Sequence, residues 1–330
     1  RPEGYSRNVL NNYILLKLII PNDSDMGGFA WHLHMVQSGI WLAERTGKKL
    51  YVYFEDGYYY DKSVGPNWWE YFYEQPYSFT PKEIELILYA DKKGKTREIT
   101  SENISDTNRL HLMTNHTFQN VVRNHTIDWS RTYDRIILKS DISNKINNIV
   151  DTEFRPKMIG VHYRGTDKFA AYGDKEDIDG GHLLYNKMIQ EITKYKGNED
   201  WGIFVASDEQ PFVDEMIQTF GNTVITYDSS RSDINTSGLD IGDTIKCTSE
   251  STEAQCKKYF DIVKNHSIHR GNNHIPPYKK GLDAIMVIYL LAKCNVMFRN
   301  AGGGNFSSQP TRINPKLKLF SYINGKFRRD

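Results

Sequence analysis

The pattern of hydrophobic and polar positions predicts strands that alternate with helices along much of the chain. The nearly continuous apolar run Tyr13–Ile20 is typical of a buried strand. A helical spacing of apolar residues follows over Phe29–Arg45, and Gly47 is expected to end this helix. Leu50–Phe54 is predicted to form the next strand. These three elements make a βαβ unit, the building block of a parallel sheet.

The second part of the chain repeats this alternation more regularly. Strands are predicted at Met158–His162, Gly202–Ala206, Thr223–Tyr227, Val296–Phe298 and Leu317–Phe320, and helices at His182–Tyr195, Gln210–Phe220 and Tyr278–Lys293. A short strand is also predicted at Arg135–Leu138, whereas residues 55–130 are too irregular to assign. The polar residues 228–256 are expected to form a long functional loop. We therefore expect an α/β protein with two Rossmann-like domains, residues 1–150 and residues 151–330.

The composition of the 330 residues fits a folded globular protein, with 39% hydrophobic and 25% charged residues. Lys and Arg total 42 against 41 Asp and Glu, so the net charge is +1. This balance argues against a general nucleic-acid binder and against a polybasic membrane anchor. No apolar run approaches the roughly 18–20 residues that cross a bilayer. We expect a soluble segment without nucleic-acid or membrane partners, in the cytoplasm or in the lumen of the ER or Golgi.

Aromatic residues make up 13% of the chain and are concentrated over Tyr51–Tyr77. Such rings fill cores, and they also suit sugar-binding surfaces, where a flat ring meets apolar C–H groups. We interpret this aromatic cluster as part core and part sugar-binding platform.

Charged side chains follow the predicted strand Met158–His162 directly. Arg164 and Lys168 offer a planar guanidinium and a point charge, the pair that suits a diphosphate, and Asp167 could hold one of these cations in place. In open α/β sheets, ligands bind beyond the carboxyl ends of the strands. We therefore interpret this run as a phosphate site, the alternative being a cluster of surface ion pairs.

A second polar loop follows the first predicted strand. Gly27 and Gly28 precede a helix, where the backbone can approach an anion closely, although paired glycines equally serve a tight turn. His32 and His34 follow on that helix as candidate ligands, and a structural role is the commoner one for such histidines.

Two more polar loops follow strands of the second part. Asp208 comes after Gly202–Ala206, where an aspartate is most commonly a helix N-cap. The segment RNAGGGNFSSQ follows Val296–Phe298, and its glycines either present backbone N–H groups to a phosphate or make a flexible loop. The polar side chains of this segment that could join such a site are Asn305, Ser307 and Ser308.

The segment His162–Lys168 (HYRGTDK) resembles the HxRxTDK-type motif of the GDP-fucose-dependent fucosyltransferase superfamily, which includes α1,6-, protein O- and nodulation fucosyltransferases. Gly28–His34 and Gly47–Val52 are similar to the Gly-rich loop, helix and second strand of the α1,6-fucosyltransferases. Val205–Glu209 looks like the acidic strand-end motif of the family, and Ser307–Gln309 is similar to its SSQ element. The likeness covers most of the C-terminal half and the beginning of the chain, whereas residues 80–150 and 230–275 carry no motif of the family.

The resemblance implies a GT-B fold, with two facing Rossmann-like domains and a cleft between them, and an inverting, metal-independent glycosyltransferase. Residues 151–330 would hold the nucleotide-sugar donor, and residues 1–150 would face the acceptor. His162 would contact the nucleotide, Arg164 the β-phosphate, and Lys168 the reacting centre, while Ser308 and Gln309 would close over the diphosphate. The donor-binding residues expected in all are Gly27, Gly28, His32, His34, His162, Arg164, Thr166, Asp167, Lys168, Asp208, Asp283, Asn305, Ser307, Ser308 and Gln309.

The chain departs from the family at three positions. The second arginine of the α1,6-fucosyltransferase motif is Gly165 here, and the catalytic glutamate of the family aligns with Tyr172. Tyrosine is a poor general base near neutral pH because its reference pKa is about 10. The aspartate that contacts guanine aligns with Val287, and Asp283, one helical turn earlier, is expected to replace it.

The residues and the resemblance together predict a glycosyltransferase. It would move a sugar from a nucleotide-sugar donor, with GDP-fucose as the first expectation, to a hydroxyl of an oligosaccharide or glycoprotein. Arg164 and Lys168 would stabilise the leaving diphosphate, and Glu55 and Asp174 are the first candidates for the general base. No metal or cofactor is expected. The alternatives are a related enzyme with another donor, such as a xylosyl nucleotide, and a catalytically silent module that binds glycans or nucleotides. A nicotinamide-dependent epimerase or dehydrogenase is disfavoured, because no GxGxxG follows the first strand.

Overall fold

A computed structural model describes residues 7–19, 28–100, 109–122, 125–165, 185–233, 274–300, 304–323 and 325–330. The chain divides into two compact units, Arg1–Ser143 and Asn144–Asp330. Each unit is built on its own largely parallel sheet with helices, and the predicted α/β class is confirmed. The assignment of an acceptor side to the first unit and a donor side to the second stays a prediction.

The sheet of the first unit has four parallel strands in the order β2-β1-β4-β3. These strands are β1 (Tyr13–Lys17), β2 (Lys49–Tyr53), β3 (Thr96–Glu98) and β4 (Leu110–Thr114). Helix α1 (Phe29–Thr46) joins β1 to β2 and ends, as predicted, at Gly47, whose φ of 66° is left-handed. A Cβ at Gly39 would lie 2.9 Å from the side chains of Leu50 and Met113, so this glycine lets α1 approach the sheet closely.

The aromatic cluster over Tyr51–Tyr77 contributes to the core of the first unit. Tyr59, Trp68 and two residues of the short helix α2 (Trp69–Phe72), Trp69 and Phe72, have rings that are at most 1% exposed. His32 of α1 lies among them, with its ring centroid 5.3 Å from that of Trp68 and 5.9 Å from that of Tyr59. The core part of our interpretation is therefore confirmed, and these buried rings cannot serve as a sugar platform.

Two longer helices of this region are absent from the sequence-based prediction. Helix α3 (Pro81–Lys92) begins at a capping box, in which the Thr80 hydroxyl accepts from the Glu83 N–H and the Glu83 carboxylate accepts from the Thr80 N–H. The short helix α4 (Phe118–Val122) follows β4, and the polar helix α5 (Ser140–Glu153) spans the division between the two units.

The strand predicted at Arg135–Leu138 is wrong: residues 131–135 form a 3-10 turn, and Leu138 makes only an isolated bridge to Tyr73.

In the described part of the second unit, the sheet has six strands in the order β10-β9-β8-β5-β6-β7, and among these only β10 is antiparallel to its neighbour. The strands are β5 (Met158–Tyr163), β6 (Gly202–Ser207), β7 (Val224–Thr226), β8 (Val296–Arg299), β9 (Lys318–Ile323) and β10 (Lys326–Arg329). The chain runs outward from β5 to β7 and then returns to the other side of β5 as β8. The chain after β5 continues to β6 on one side, and the chain after β8 continues to β9 on the other side. The carboxyl ends of β5 and β8 therefore form a switch point, the place where open α/β sheets bind ligands.

The described helices of the second unit are α6 (Tyr185–Lys196), α7 (Gln210–Phe220), α8 (Pro277–Ala292) and α9 (Gly304–Ile313). The prediction is confirmed at both ends for α7 and within a residue or two at both ends of α8. Every residue of β5 and β6 is buried, as expected of central parallel strands covered on both faces. Within the described residues, no helix has the length and apolar character needed to span a bilayer.

Candidate functional site

A cleft opens at the carboxyl edge of the sheet of the second unit. Its polar lining residues are His162, Arg164, Ser207, Asp208, Ser229, Ser230, Lys280 and Asp283, and its apolar ones are Ala206, Ala284, Val287 and Phe306. The cleft therefore joins the strand-end residues of β5 and β6 to one face of α8. It contains four of the residues predicted to bind the donor: His162, Arg164, Asp208 and Asp283.

His162 lies near the carboxyl end of β5 and is 5% exposed. Its ring stacks on Phe306, in the first turn of α9, with the ring centroids 5.1 Å apart and the planes inclined by 22°. Phe306 was not singled out in the sequence, although it lies within the predicted RNAGGGNFSSQ segment. This stack brings the N-terminal turn of α9 to the wall of the cleft.

Asp208 orients the turn that carries Arg164. Its carboxylate lies 3.6 Å from the Arg164 Nε and accepts a 2.8 Å hydrogen bond from the Gly165 N–H. The side chains of Arg164 and Asp208 are only 14% and 8% exposed. The N-cap of α7 is Glu209, without a side-chain cap, so the N-cap role considered for Asp208 is wrong. Its carboxylate serves the neighbouring strand end instead.

Asn300 holds the same turn from the other side, and sequence reasoning missed it. Its Oδ1 accepts from the Arg164 N–H at 2.8 Å, and its Nδ2 donates to the Arg164 carbonyl at 2.7 Å. Asn300 directly follows β8 and is 6% exposed. It thus links the carboxyl ends of β5 and β8 at the switch point. The only signal in the sequence was an asparagine placed directly after a strand.

One face of α8 forms the far end of the cleft. Lys280, Asp283, Ala284 and Val287 follow the i, i+3, i+4, i+7 spacing of a single helical stripe, and all four line the cleft. The Asp283 Oδ2 accepts hydrogen bonds from the N–H and the hydroxyl of Ser230, at 3.0 and 3.2 Å. Burial lowers the pKa of the half-buried Lys280. This end of the cleft thus offers a hydrogen-bond acceptor, the Asp283 carboxylate, and a donor, the Lys280 ammonium group, beside the apolar side chains of Ala284 and Val287.

The SSQ element is not brought into this cleft. Ser307 and Gln309 are fully buried, and the Ser307 hydroxyl accepts a 2.9 Å hydrogen bond from the Arg299 Nη1. Asn305 is half-buried, and Ser308 lies at a separate shallow pocket beside β9. Donor contacts by the side chains of Ser307 and Gln309 therefore do not fit this structure, because both side chains are enclosed in protein. Donor contacts by Asn305 and Ser308 stay predictions.

The candidate residues of the first unit divide between core and surface. His32 is 1% exposed inside the aromatic cluster, the environment expected of a structural histidine, and its expected donor contact stays a prediction. His34 is half-buried, with its ring centroid 4.5 Å from that of Trp129. Gly28 is the exposed N-cap residue of α1, with a φ of −87° that any residue adopts and open space where a Cβ would stand. Contacts of Gly28 and His34 with a donor stay predictions.

Glu55, a candidate general base, is part of an ion-pair cluster of the first unit. Its carboxylate and that of Asp91 each lie 2.8 Å from the Lys17 Nζ, at the carboxyl end of β1. Burial lowers the pKa of Lys17, but the hydrogen bonds to Asp91 and Glu55 outweigh burial and the net shift is upward. Glu55 therefore faces a firmly protonated lysine. The remaining predicted residues, Gly27, Thr166, Asp167, Lys168 and Asp174, lie outside the described residues.

The described residues contain no group of three or more His, Cys, Asp or Glu side chains placed to hold a metal ion. Among the described residues, the Lys and Arg side chains that line the cleft are Arg164 and Lys280. The fold and the cleft together define an α/β protein with a candidate ligand site at the switch point of a Rossmann-like sheet.

The fold is similar to those of several solved fucosyltransferase structures. The fucosyltransferase NodZ from Bradyrhizobium is 16% identical, with a TM-score of 0.54 over 97% of this chain and 98% of that chain. A structure of NodZ α-1,6-fucosyltransferase soaked with GDP-fucose is 15% identical, with a TM-score of 0.52 over 96% and 98%. POFUT1 in complex with GDP is 10% identical, with a TM-score of 0.56 over 96% and 99%. No family model and no curated protein sequence matches the chain. The expected GT-B-type α/β fold is confirmed.

Proposed function

We propose that the chain is an inverting glycosyltransferase that transfers fucose from GDP-fucose to a glycan hydroxyl. The observation that carries this proposal is the placement of Arg164. It lies at the switch point of the sheet, lines the cleft, and is held by Asp208 on one side and by Asn300 on the other. A preorganised guanidinium at a strand end is the group that a leaving diphosphate requires.

The diphosphate is expected to lie between Arg164 and the first turn of α9. Phe306 of that turn stacks on His162, so the N-terminal end of the helix is at the cleft wall. Backbone N–H groups and the helix dipole both favour an anion there. NodZ, which was co-crystallised with GDP, and POFUT1, which was solved in complex with GDP, share this fold. These features support a nucleoside diphosphate as the ligand.

The base is expected to lie against α8, with Ala284 and Val287 under its ring and its polar edge towards Asp283 and Lys280. Guanine presents acceptors at O6 and N7 and a donor at N2. A lysine that donates and an aspartate that accepts complement this pattern. Because GDP is the nucleotide of the NodZ and POFUT1 structures that share this fold, we favour GDP over UDP as the nucleotide part of the donor.

In the proposed reaction, the acceptor oxygen bonds to the anomeric carbon from the face opposite the diphosphate. The bond from that carbon to the β-phosphate oxygen breaks, and GDP leaves with the electron pair. Arg164, with Lys168 as a second proposed cation, stabilises the charge that develops on this oxygen, so we propose a metal-independent mechanism. The acceptor proton passes to a carboxylate, for which Glu55 and Asp174 remain the proposed candidates.

Release of GDP from GDP-fucose in the absence of acceptor tests this function. An enzyme that stabilises the leaving diphosphate is expected to hydrolyse the donor slowly, because water can replace the acceptor hydroxyl. GDP formation would be followed by a coupled assay, with UDP-xylose as the parallel donor. Release of UDP from UDP-xylose, without release of GDP from GDP-fucose, would show that the donor is a xylosyl nucleotide instead. Binding of GDP-fucose without release of GDP would instead identify a glycan- or nucleotide-binding module.

A further inference from the structure

A buried carboxylate that the proposed chemistry does not use belongs to the residue that follows Asp208, which lines the cleft. Glu209 follows Asp208, and its side chain is completely enclosed. The Tyr185 hydroxyl, at the first residue of α6, donates a hydrogen bond to the Glu209 Oε2. The Glu209 N–H donates to the Ser207 hydroxyl at 3.0 Å. Burying a carboxylate is costly, so its position demands a structural or functional reason.

Glu209 packs against the turn that carries Arg164. A Cβ placed on Gly165 would lie 1.7 Å from the Glu209 Oε1 and 2.2 Å from its Cδ. No side chain larger than hydrogen therefore fits at position 165 while Glu209 keeps its place. The Gly165 N–H is bonded at the same time to Asp208. The peptide after Arg164 is thus held by Asp208 through a hydrogen bond and by Glu209 through close packing.

We propose that Glu209 is a positioning residue of the donor site, which fixes the Arg164–Gly165 turn from below so that the guanidinium faces the diphosphate. Tyr185 holds the Glu209 carboxylate against Gly165, and Asp208 and Asn300 hold the two sides of the same turn. The packing also restricts this turn to a single guanidinium, because position 165 has no room for a second one. The inference rests on the proposed function, since it concerns the geometry of the diphosphate site.

A double-mutant cycle between position 165 and position 209 tests this proposal. Gly165→Ala is expected to push the turn away from Glu209 and to lower kcat/KM for GDP-fucose hydrolysis on the order of 10²-fold, because small displacements of a positioning group have effects of that size. It should also weaken GDP binding in calorimetry. Glu209→Ala removes the atoms that collide, so Gly165→Ala/Glu209→Ala should perform no worse than Glu209→Ala alone. Such coupling shows that the two positions act through one contact.

Two further variants separate positioning from general stability. Gly160→Ala also adds a methyl group in a crowded place, but it lies within β5 and meets Leu291 and Cys294 in the core, with the nearest contact at 3.1 Å. It is expected to lower the melting temperature and to leave GDP affinity unchanged. Glu209→Gln keeps the shape and can accept from Tyr185, so it should retain GDP affinity. Wild-type GDP affinity in Gly165→Ala, or additive losses in the double variant, would overturn the proposal. Failure of the wild-type protein to bind GDP would instead refute the proposed function.

Discussion

Replacing Arg164 with alanine is expected to lower turnover of GDP-fucose by about 10²–10³-fold, the loss that follows removal of one preorganised electrostatic donor. Arg164 is one of only two cationic side chains that line the cleft within the described part of the chain, and it is the one at the strand end. Alanine also removes the guanidinium that lies 3.6 Å from the buried Asp208 carboxylate. Steady-state kinetics with GDP-fucose would measure the loss.

Two other arginine variants sharpen this prediction. Arg164→Lys keeps the charge but loses the planar fork, so it should recover only part of the activity. Arg155→Ala, just before β5, removes a surface ion pair with Asp200, which is 84% exposed, and should change turnover little. Full activity in Arg164→Ala would contradict the assigned role of this residue.

Replacing Asn300 with alanine is expected to have the second large effect. Both backbone groups of Arg164 would lose their partner in a partly buried position, which costs about 2–6 kcal/mol of unfolding free energy for two such groups. The freed turn should also lower kcat/KM, since Arg164 would lose its fixed direction. Denaturant unfolding and donor kinetics on the same preparation would measure both effects.

Asn295 offers a matched control at the opposite end of β8. Its Oδ1 accepts from the Met158 N–H at 2.7 Å, so it holds the amino end of β5 as Asn300 holds the carboxyl end. Asn295→Ala should lower stability and leave GDP affinity intact. If the two variants weaken GDP binding equally, Asn300 acts only through general stability and the prediction is wrong.

The fold was predictable where hydrophobic periodicity is strong. The buried strands β5 and β6 and the amphipathic helix α7 are examples, because continuous apolar runs and a 3.6-residue spacing mark them directly. Helix α5 was missed because its sequence is polar. Helix α3 was missed although its start carries a capping box at Thr80 and Glu83, a signal that is visible in the sequence.

The candidate site was predictable only in part, for a physical reason. His162 and Arg164 follow a strand, and the strand-end rule places such residues at a ligand site. The partners of Arg164 come from other strands: Asp208 follows β6, and Asn300 follows β8. Such contacts depend on the strand order, which local patterns do not specify. The burial of His32 could not be predicted for the same reason, because the aromatic rings around it come from another segment of the chain.

Calorimetric titration of the wild-type protein with GDP, UDP and ADP tests the central claim most directly. The account predicts one GDP per chain, bound at least about tenfold more tightly than UDP or ADP, a difference of about 1.4 kcal/mol. It also predicts that Lys280→Met reduces this preference, since Lys280 is proposed to donate to the guanine edge, and that Arg164→Ala weakens all three nucleotides. Tighter binding of UDP, or no binding of any of the three, would contradict the assignment of this cleft to a GDP-sugar donor.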